Sequence, residues 1–355
     1  MTTSSMSRTA YAVPAFTLPF LFILMWSSGY VVGKLALPHA GPFTLLFLRF
    51  ALAALVLLAI ALLTRAPWPT GWKPALHLVV VGLLVQALQF SGLYTGLKLG
   101  VSAGVSALIV GTMPLLTALG ASVFLHEQVS ARQWLGLAGG VGGVALVVAE
   151  RLGGASLAGL GAVVLALVGI TLGTLYQKTF CADADLRTGG FIQLAVASGV
   201  ALPLALWVEG FRVDWTPTLL LASGWLSIVN SIGAVSLLFL MMRKGQASQV
   251  ASLFYLVPGT TALMGFIILD ERLGALTLLG FAITAGAVHV CTRHAARARR
   301  RQYGSAVRGA HPGVWQRRHR QPRCGPDEYR GARLPDRRRW RWRDRRQRYR
   351  HPGGG

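Results

Sequence analysis

Ten apolar runs dominate this chain, each about as long as the 20 residues needed to cross the hydrocarbon core of a bilayer. Connections between runs are no longer than about 11 residues, so no soluble catalytic domain has room to fold. We therefore predict an all-α membrane protein with ten transmembrane helices. The runs cover 16–37, 42–63, 75–97, 101–124, 132–149, 157–178, 188–208, 217–242, 247–269 and 273–292.

The composition changes after the last run. From Arg293 onwards the chain holds 21 Arg and 4 acidic residues, so this tail carries most of the formal net charge of +23. A segment of this composition is predicted to be disordered. Arg mixed with Trp and Tyr could bind anionic lipid headgroups or nucleic acid. The same bias is typical of a GC-rich gene read in a shifted frame, and we expect no nucleic-acid partner.

The chain repeats itself at an offset of 144 residues. Without gaps, this offset pairs Lys34 with Lys178, Pro114 with Pro258, and Glu127 with Glu271. Each half contains five runs, and an odd number of spans reverses the second half relative to the first in the bilayer. The sequence thus predicts two inverted five-helix repeats, an arrangement that lets one scaffold open to either side of the membrane.

Four segments follow from this pattern: an N-terminal segment at 1–13, the first repeat at 14–150, the second repeat at 151–292, and the tail at 293–355. The first run is long and lacks a cleavage site, so we interpret it as a retained helix rather than a signal peptide. With the N-terminus inside, eight Lys and Arg residues of the body face inwards and five face outwards, and the tail adds to the inner side. We predict that both termini are cytoplasmic and that the protein lies in the cell membrane.

Several motifs resemble the EamA-type drug/metabolite transporter superfamily. They are WSSGYVVGKLAL (26–37), PFTLLFLRF (42–50), ALIVGTMPLLTAL (107–119), FYLVPGTTAL (254–263) and LDERLG (269–274). The resemblance covers both repeats, from about residue 14 to 292. It implies ten helices in two EamA repeats and transport of small metabolites, often export of amino acids or drugs.

Two runs place cationic side chains at membrane depth. In the first, Trp26, Tyr30 and Lys34 recur every four residues on one helix face, which suits a carboxylate or an aromatic solute. Alternatively, the rings pack and Lys34 extends to the interface. In the second, Arg49 lies about 10 Å inside the helix start and should face the bundle. It could bind a substrate carboxylate bidentately or pair with internal groups.

Other polar side chains could line the same cavity. The third run offers Gln86, Gln89 and Tyr94, broadly on one face, and the offset places Asn230 on Gln86. The alternative is that these amides join helices through hydrogen bonds. Tyr255, just before Pro258, is a weaker candidate. Glu127 and Glu271 lie in short connections, where we expect them to be stabilised by helix dipoles.

The remaining signals argue against catalysis. No Asp or Glu lies mid-run, no phosphate-binding glycine loop occurs, and the three cysteines are too scattered for a metal cluster. We therefore predict no catalytic residues, no cofactor and no metal. The expected function is alternating-access transport of a small organic solute. The preferred activity is export of amino acids or related metabolites. The expected partners are that solute, the lipid bilayer and a second copy of the chain. The alternative is a membrane-embedded enzyme or a lipid-handling protein.

Overall fold

The computed structural model describes residues 17–125, 134–135, 138–143, 145–146, 156–243, 254, 256–272 and 274–286. The secondary structure of this part of the chain is helical, apart from one antiparallel bridge between Ala40 and Val213. The described residues between 134 and 146 are helical. The helices with stated bounds are α1 (Thr17–Ala36), α2 (Pro42–Leu63), α3 (Trp72–Lys98), α4 (Ala103–Gly111 and, after Thr112, Met113–Leu125), α5 (Leu157–Phe180), α6 (Leu186–Glu209), α7 (Pro217–Trp225, Leu226–Ala234 and Val235–Arg243), α8 (Leu256–Leu269) and α9 (Ala275–Gly286).

These helices coincide with the predicted apolar runs, and six of them are long and apolar enough to cross a membrane. Most of the described bounds differ from the predicted ones by no more than two residues, but α3 begins at Trp72, three residues before the predicted start of the run at 75. Pro74 therefore lies in the first turn of α3, where a missing backbone N–H costs nothing. Parts of the runs 132–149, 247–269 and 273–292 lie outside the described residues, so ten spans remain a prediction.

The 144-residue offset reappears in the helix boundaries. Helices α1 and α5 end at Ala36 and Phe180, and α2 and α6 begin at Pro42 and Leu186. Helices α3 and α7 are each interrupted by a π-helical segment, Gly82–Leu88 in α3 and Leu226–Ala234 in α7. Because both segments also start 144 residues apart, they are a shared feature of the two repeats. Single-turn π insertions in α-helices are frequent at functional sites.

Helices α2 and α6, which occupy equivalent places in the two repeats, pack against each other in opposite directions. At the start of α2, the backbone N–H groups of Phe43 and Thr44 donate to the Glu209 carboxylate at the end of α6, at 2.9 and 2.8 Å. The Thr44 hydroxyl donates to the same carboxylate at 2.6 Å. The carboxylate thereby caps backbone N–H groups that have no partner within α2. It also lies beside the positive end of the α2 helix dipole.

The opposite end of this pair is joined by Arg187, near the start of α6. Its guanidinium donates to Thr64 Oγ1, just past the end of α2, at 2.8 Å. Asp185 caps α6 by accepting from the Arg187 backbone N–H at 2.9 Å and forms an ion pair with the same residue. Hydrogen bonds from Arg187 are the main reason that the pKa of Asp185 is lowered.

Exposed tryptophans mark both ends of the bundle. Trp68 and Trp72 lie where α2 leads into α3, whereas Trp207 and Trp215 lie where α6 leads into α7. Tryptophan is enriched at the two membrane–water interfaces because its ring is apolar and its N–H is polar. Between these belts, the exposed side chains of the long helices are largely Leu, Ile, Val and Phe, as expected of a lipid-facing surface.

Glycines bring α3 and α5 into close contact. A Cβ added to Gly92 would overlap the carbonyl oxygen of Ala162 and lie 2.9 Å from the backbone N of Ala166. These are backbone atoms of α5, so they cannot move aside as a flexible side chain would. Small residues permit such an approach where no hydrophobic effect drives helices together in lipid. One turn later, a Cβ added to Gly96 would lie 2.9 Å from the carbonyl oxygen of Gly159, which also belongs to α5.

We predict that Gly92→Ala lowers the free energy of unfolding by about 2 kcal/mol, because the added methyl group forces α3 away from α5. Thermal unfolding of the purified protein in detergent would measure this. Gly161→Ala is the matched control: Gly161 lies on α5, and a Cβ there would meet nothing within 4 Å. That substitution should be neutral or slightly stabilising, since Ala favours a helix. Equal stability of the two variants would contradict the packing at Gly92.

Candidate functional site

Arg49 of α2 is a charged residue that is buried inside the bundle. It is the eighth residue of its helix, and only 4% of it is exposed. Its Nε donates to Ser231 Oγ of α7 at 3.0 Å, and its Nη1 donates to the Tyr94 hydroxyl of α3 at 2.7 Å. The guanidinium is thus held between the first repeat, which contributes α2 and α3, and the second, which contributes α7.

Aromatic rings surround the guanidinium. Its carbon lies 4.3 Å from the centroid of the Phe90 ring, 5.3 Å from that of Phe50 and 6.0 Å from that of Tyr94. Contact with the faces of these rings offsets part of the cost of burying a cation. Phe90 and Tyr94 lie four residues apart, immediately after the π-helical segment of α3. These two rings therefore contact Arg49 from one side of a single helix.

Arg49 retains unused hydrogen-bonding capacity. A guanidinium has five N–H donors, and the bonds to Ser231 and Tyr94 use two of them. The other three have no partner among the described residues. The ion pairs formed within this part of the chain are Lys34–Glu271 and Arg187–Asp185, so no carboxylate there neutralises Arg49. A buried cation without a counter-ion is suited to bind an anionic group.

Helix α1 closes the site on its other side because Gly33 has no side chain. A Cβ at Gly33 would lie 2.8 Å from a ring carbon of Tyr94 and 3.0 Å from its hydroxyl. Tyr94 is fully buried as a result. Tyr30, one turn earlier on α1, is buried in the same apolar cluster. Trp26 packs against the same cluster, with its ring also in contact with those of Phe22 and Phe254.

Lys34 lies away from Arg49, at the end of the bundle where α1 ends. Its Nζ donates to Glu271 Oε1 at 2.5 Å and to the Val101 carbonyl at 3.2 Å. The Glu271 carboxylate also accepts from the Ala103 backbone N–H, at 2.9 and 3.1 Å. Glu271 therefore caps the first turn of α4, a helix distant in sequence, rather than the helix that follows it. This ion pair joins the first repeat to the second.

The two amide candidates of the π-helical segments occupy equivalent places in the repeats. Gln86 is partly buried in α3, whereas Asn230 is buried in α7. Asn230 Nδ2 donates to the Met25 carbonyl of α1 at 2.5 Å, a bond that joins two helices. Its Oδ1 is buried and has no hydrogen-bond partner among the described residues. The amide packs directly on Gly29, whose Cβ would lie 2.7 Å from Nδ2.

The remaining predicted site residues are Gln89 and Tyr255. Gln89 is buried at the end of the π-helical segment of α3, with its backbone N against Gly169 of α5. Tyr255 lies outside the described residues, as do Glu127 and the tail.

The sequence interpretation overlooked the serines of α7. Ser231 accepts from Arg49, and the Ser227 hydroxyl lies between two carbonyl acceptors, that of Ser223 at 2.6 Å and that of Arg49 at 3.0 Å. With Ser223, these residues recur every four positions within an apolar run. Such a stripe lies on one helix face, and it could have been recognised as a polar face inside the membrane.

The fold and the site together define a multi-pass membrane protein that is built from two repeats around a buried arginine. A family model identifies the family within this class of protein. The EamA-like transporter family matches residues 14–149 and 157–293, and the chain belongs to that family. The two matched segments begin at residues 14 and 157, a spacing close to the 144-residue offset.

Known relatives are named as transporters. An inner membrane transporter of Escherichia coli K12, YedA, is 26% identical over 286 residues, covering 79% of this chain and 91% of the relative. The transporter YvbV of Bacillus subtilis is 28% identical over 276 residues, with 75% and 87% covered. An E. coli K12 protein described as a "Probable amino-acid metabolite efflux pump" is 22% identical over 276 residues, with 74% and 89% covered.

A solved crystal structure has the same fold. It superposes with a TM-score of 0.57 at 20% sequence identity and covers 79% of this chain and 97% of its own.

Proposed function

We propose that this protein is an alternating-access exporter of amino acids or related metabolites, and that Arg49 binds the carboxylate of the solute. The observation that carries the proposal is the buried guanidinium with three donors unpartnered among the described residues and no carboxylate beside it there. A planar fork of donors matches a carboxylate. The E. coli relative described as an amino-acid metabolite efflux pump supports this class of solute.

The proposed architecture is ten transmembrane helices in two inverted five-helix repeats. The opposite directions of α2 and α6 support it, because equivalent helices of inverted repeats must run in opposite directions. Arg49 is held by helices from both repeats, so relative motion of the repeats would alter its surroundings. The cytoplasmic location of both termini rests on the Lys and Arg distribution.

The inner wall of the proposed site combines charge with aromatic surface. Arg49 would hold the carboxylate, and Phe90, Tyr94 and Tyr30 would supply apolar and aromatic contacts nearby. Gln86, Gln89, Asn230 and Tyr255 are proposed as polar contacts for the rest of the solute, and Trp26 as part of its aromatic lining. Lys34 is engaged by Glu271 in this structure, so its proposed contact with solute requires that ion pair to open.

Counterflow into proteoliposomes tests this proposal. Vesicles containing the purified full chain and loaded in turn with each of the twenty unlabelled L-amino acids should accumulate at least one radiolabelled counterpart. The amide derivative of that amino acid should be exchanged at least about 30-fold less efficiently, because it lacks the charge that Arg49 binds. Failure of every amino acid, or equal exchange of acid and amide, would overturn the proposal.

A further inference from the structure

The orientation of Arg49 depends on a hydroxyl contributed by the other repeat. The Ser231 hydroxyl donates to the carbonyl of Leu226, five residues earlier, at 3.0 Å. Its hydrogen is thereby directed away from the guanidinium, so its oxygen is free to accept from Arg49 Nε at 3.0 Å. This two-bond chain connects the guanidinium to the backbone of the π-helical segment of α7.

The π-helical segment does not itself need this serine. The equivalent segment in α3 starts 144 residues earlier, and the position equivalent to Ser231 there is Ala87. The position equivalent to Arg49 is Gln193. The first repeat therefore contributes the arginine and has alanine at the position of the serine, whereas the second contributes the serine and has glutamine at the position of the arginine. Both repeats keep the π-helical geometry. This pattern separates the role of Ser231 from the formation of the segment.

The bond to Ser231 also fixes which donors remain for a ligand. It occupies Nε on one edge of the planar guanidinium, and Tyr94 occupies one donor of Nη1. The unpartnered donors are therefore on the terminal nitrogens, and both Nη2 donors are among them. Without Ser231, the guanidinium could rotate about its side-chain torsions, and the unpartnered donors on Nη1 and Nη2 would lose their fixed direction.

We propose that Ser231 is a positioning residue for anion binding: it fixes the guanidinium plane of Arg49 so that the terminal nitrogens bind the anionic group of the solute. The proposal rests on the proposed function, since it assumes that Arg49 contacts the solute. Ser231 itself touches Arg49 and the backbone of α7. It thus adds a specificity determinant from the second repeat to a site whose charge belongs to the first.

Transport kinetics of Ser231→Ala test the proposal, with the amino acids that accumulate in the counterflow panel as probes. We expect KM to rise about tenfold with little change in kcat, because a bond that orients a charged group is lost. Ser231→Thr, which keeps the hydroxyl, should restore KM. The matched control is Ser223→Ala on the same helix, since the Ser223 hydroxyl is buried and has no partner among the described residues. Its KM should be that of the wild type.

A measurement without solute keeps the proposal testable in every case. In protein labelled with ¹⁵N-arginine, the Nε–H signal that disappears in Arg49→Lys belongs to Arg49. Ser231→Ala should shift and broaden this signal, and Ser223→Ala should leave it unchanged. An unchanged signal in Ser231→Ala would overturn the proposal.

The outcomes also separate this proposal from the proposed function. If Arg49→Ala loses transport while Ser231→Ala keeps its KM, the positioning role is wrong and the function stands. If Arg49→Ala transports normally or no amino acid accumulates, the proposed function is wrong, and the positioning role for the solute fails with it.

Discussion

Arg49→Ala is expected to lower transport efficiency at least about 30-fold while the protein remains folded. Removing one partner of a buried charge pair costs about 2 kcal/mol or more in binding. The fold should survive because Arg49 has no counter-ion among the described residues, so its removal leaves no unpaired carboxylate there. Counterflow at equal protein abundance measures the first effect, and thermal unfolding in detergent measures the second.

Arg49→Lys should fail almost as completely. An ammonium is compact and cannot donate simultaneously to Ser231, Tyr94 and a carboxylate in the geometry of a planar fork. The matched control is Arg212→Ala, which removes the same side chain from an exposed position just beyond α6. It should transport like the wild type. Normal transport by Arg49→Ala rejects the binding role, and loss of transport together with loss of folding would make the arginine structural.

The second large effect is expected for Glu271→Gln. This change removes the counter-ion of Lys34 and weakens the cap on Ala103, while the shape of the side chain is kept. Leaving a buried charge unpaired is strongly destabilising. We expect the free energy of unfolding to fall by about 2–3 kcal/mol, less than for a fully buried pair because the Lys34 side chain is 24% exposed. Thermal unfolding in detergent is the measurement.

Asp270→Asn is the control for this variant. It neutralises the adjacent carboxylate, which is exposed, and Asn tolerates the positive φ of 52° found at Asp270. It should have little effect. The double variant Lys34→Met/Glu271→Gln should be more stable than the sum of the two single changes predicts, with a coupling energy of at least about 1 kcal/mol. Strict additivity would show that the ion pair contributes nothing.

Much of the fold could be predicted from the sequence because each helix in lipid must satisfy its own backbone and be apolar over its length. These local requirements gave the bounds of α2 and α6 within two residues. The repeat could also be recognised in the sequence, since an ungapped offset of 144 residues aligns Lys34 with Lys178. The ends of α1 and α5 are separated by the same 144 residues. The interior location of Arg49 followed from its depth alone.

The partners of the charged residues could not be predicted in the same way. Lys34 and Glu271 are separated by 237 residues, and Thr44 and Glu209 by 165, so their pairing is a property of helix packing. The sequence left open whether Lys34 lines the cavity or extends to the interface, because it gave no information on which helix meets the face that Lys34 shares with Tyr30. The π-helical segments have no local signature either, although they present Ser231 and Asn230 to different neighbours.

Equilibrium binding of a radiolabelled solute tests the central claim most directly. The solute is an amino acid that accumulates in the counterflow panel, and the proteins are the purified wild type and Arg49→Ala at equal folded concentration. We predict saturable binding to the wild type that the unlabelled acid displaces and its amide does not, with affinity at least about 30-fold weaker in Arg49→Ala. Equal affinity of the two proteins, or equal displacement by acid and amide, would contradict the assignment of Arg49 as the anion-binding residue.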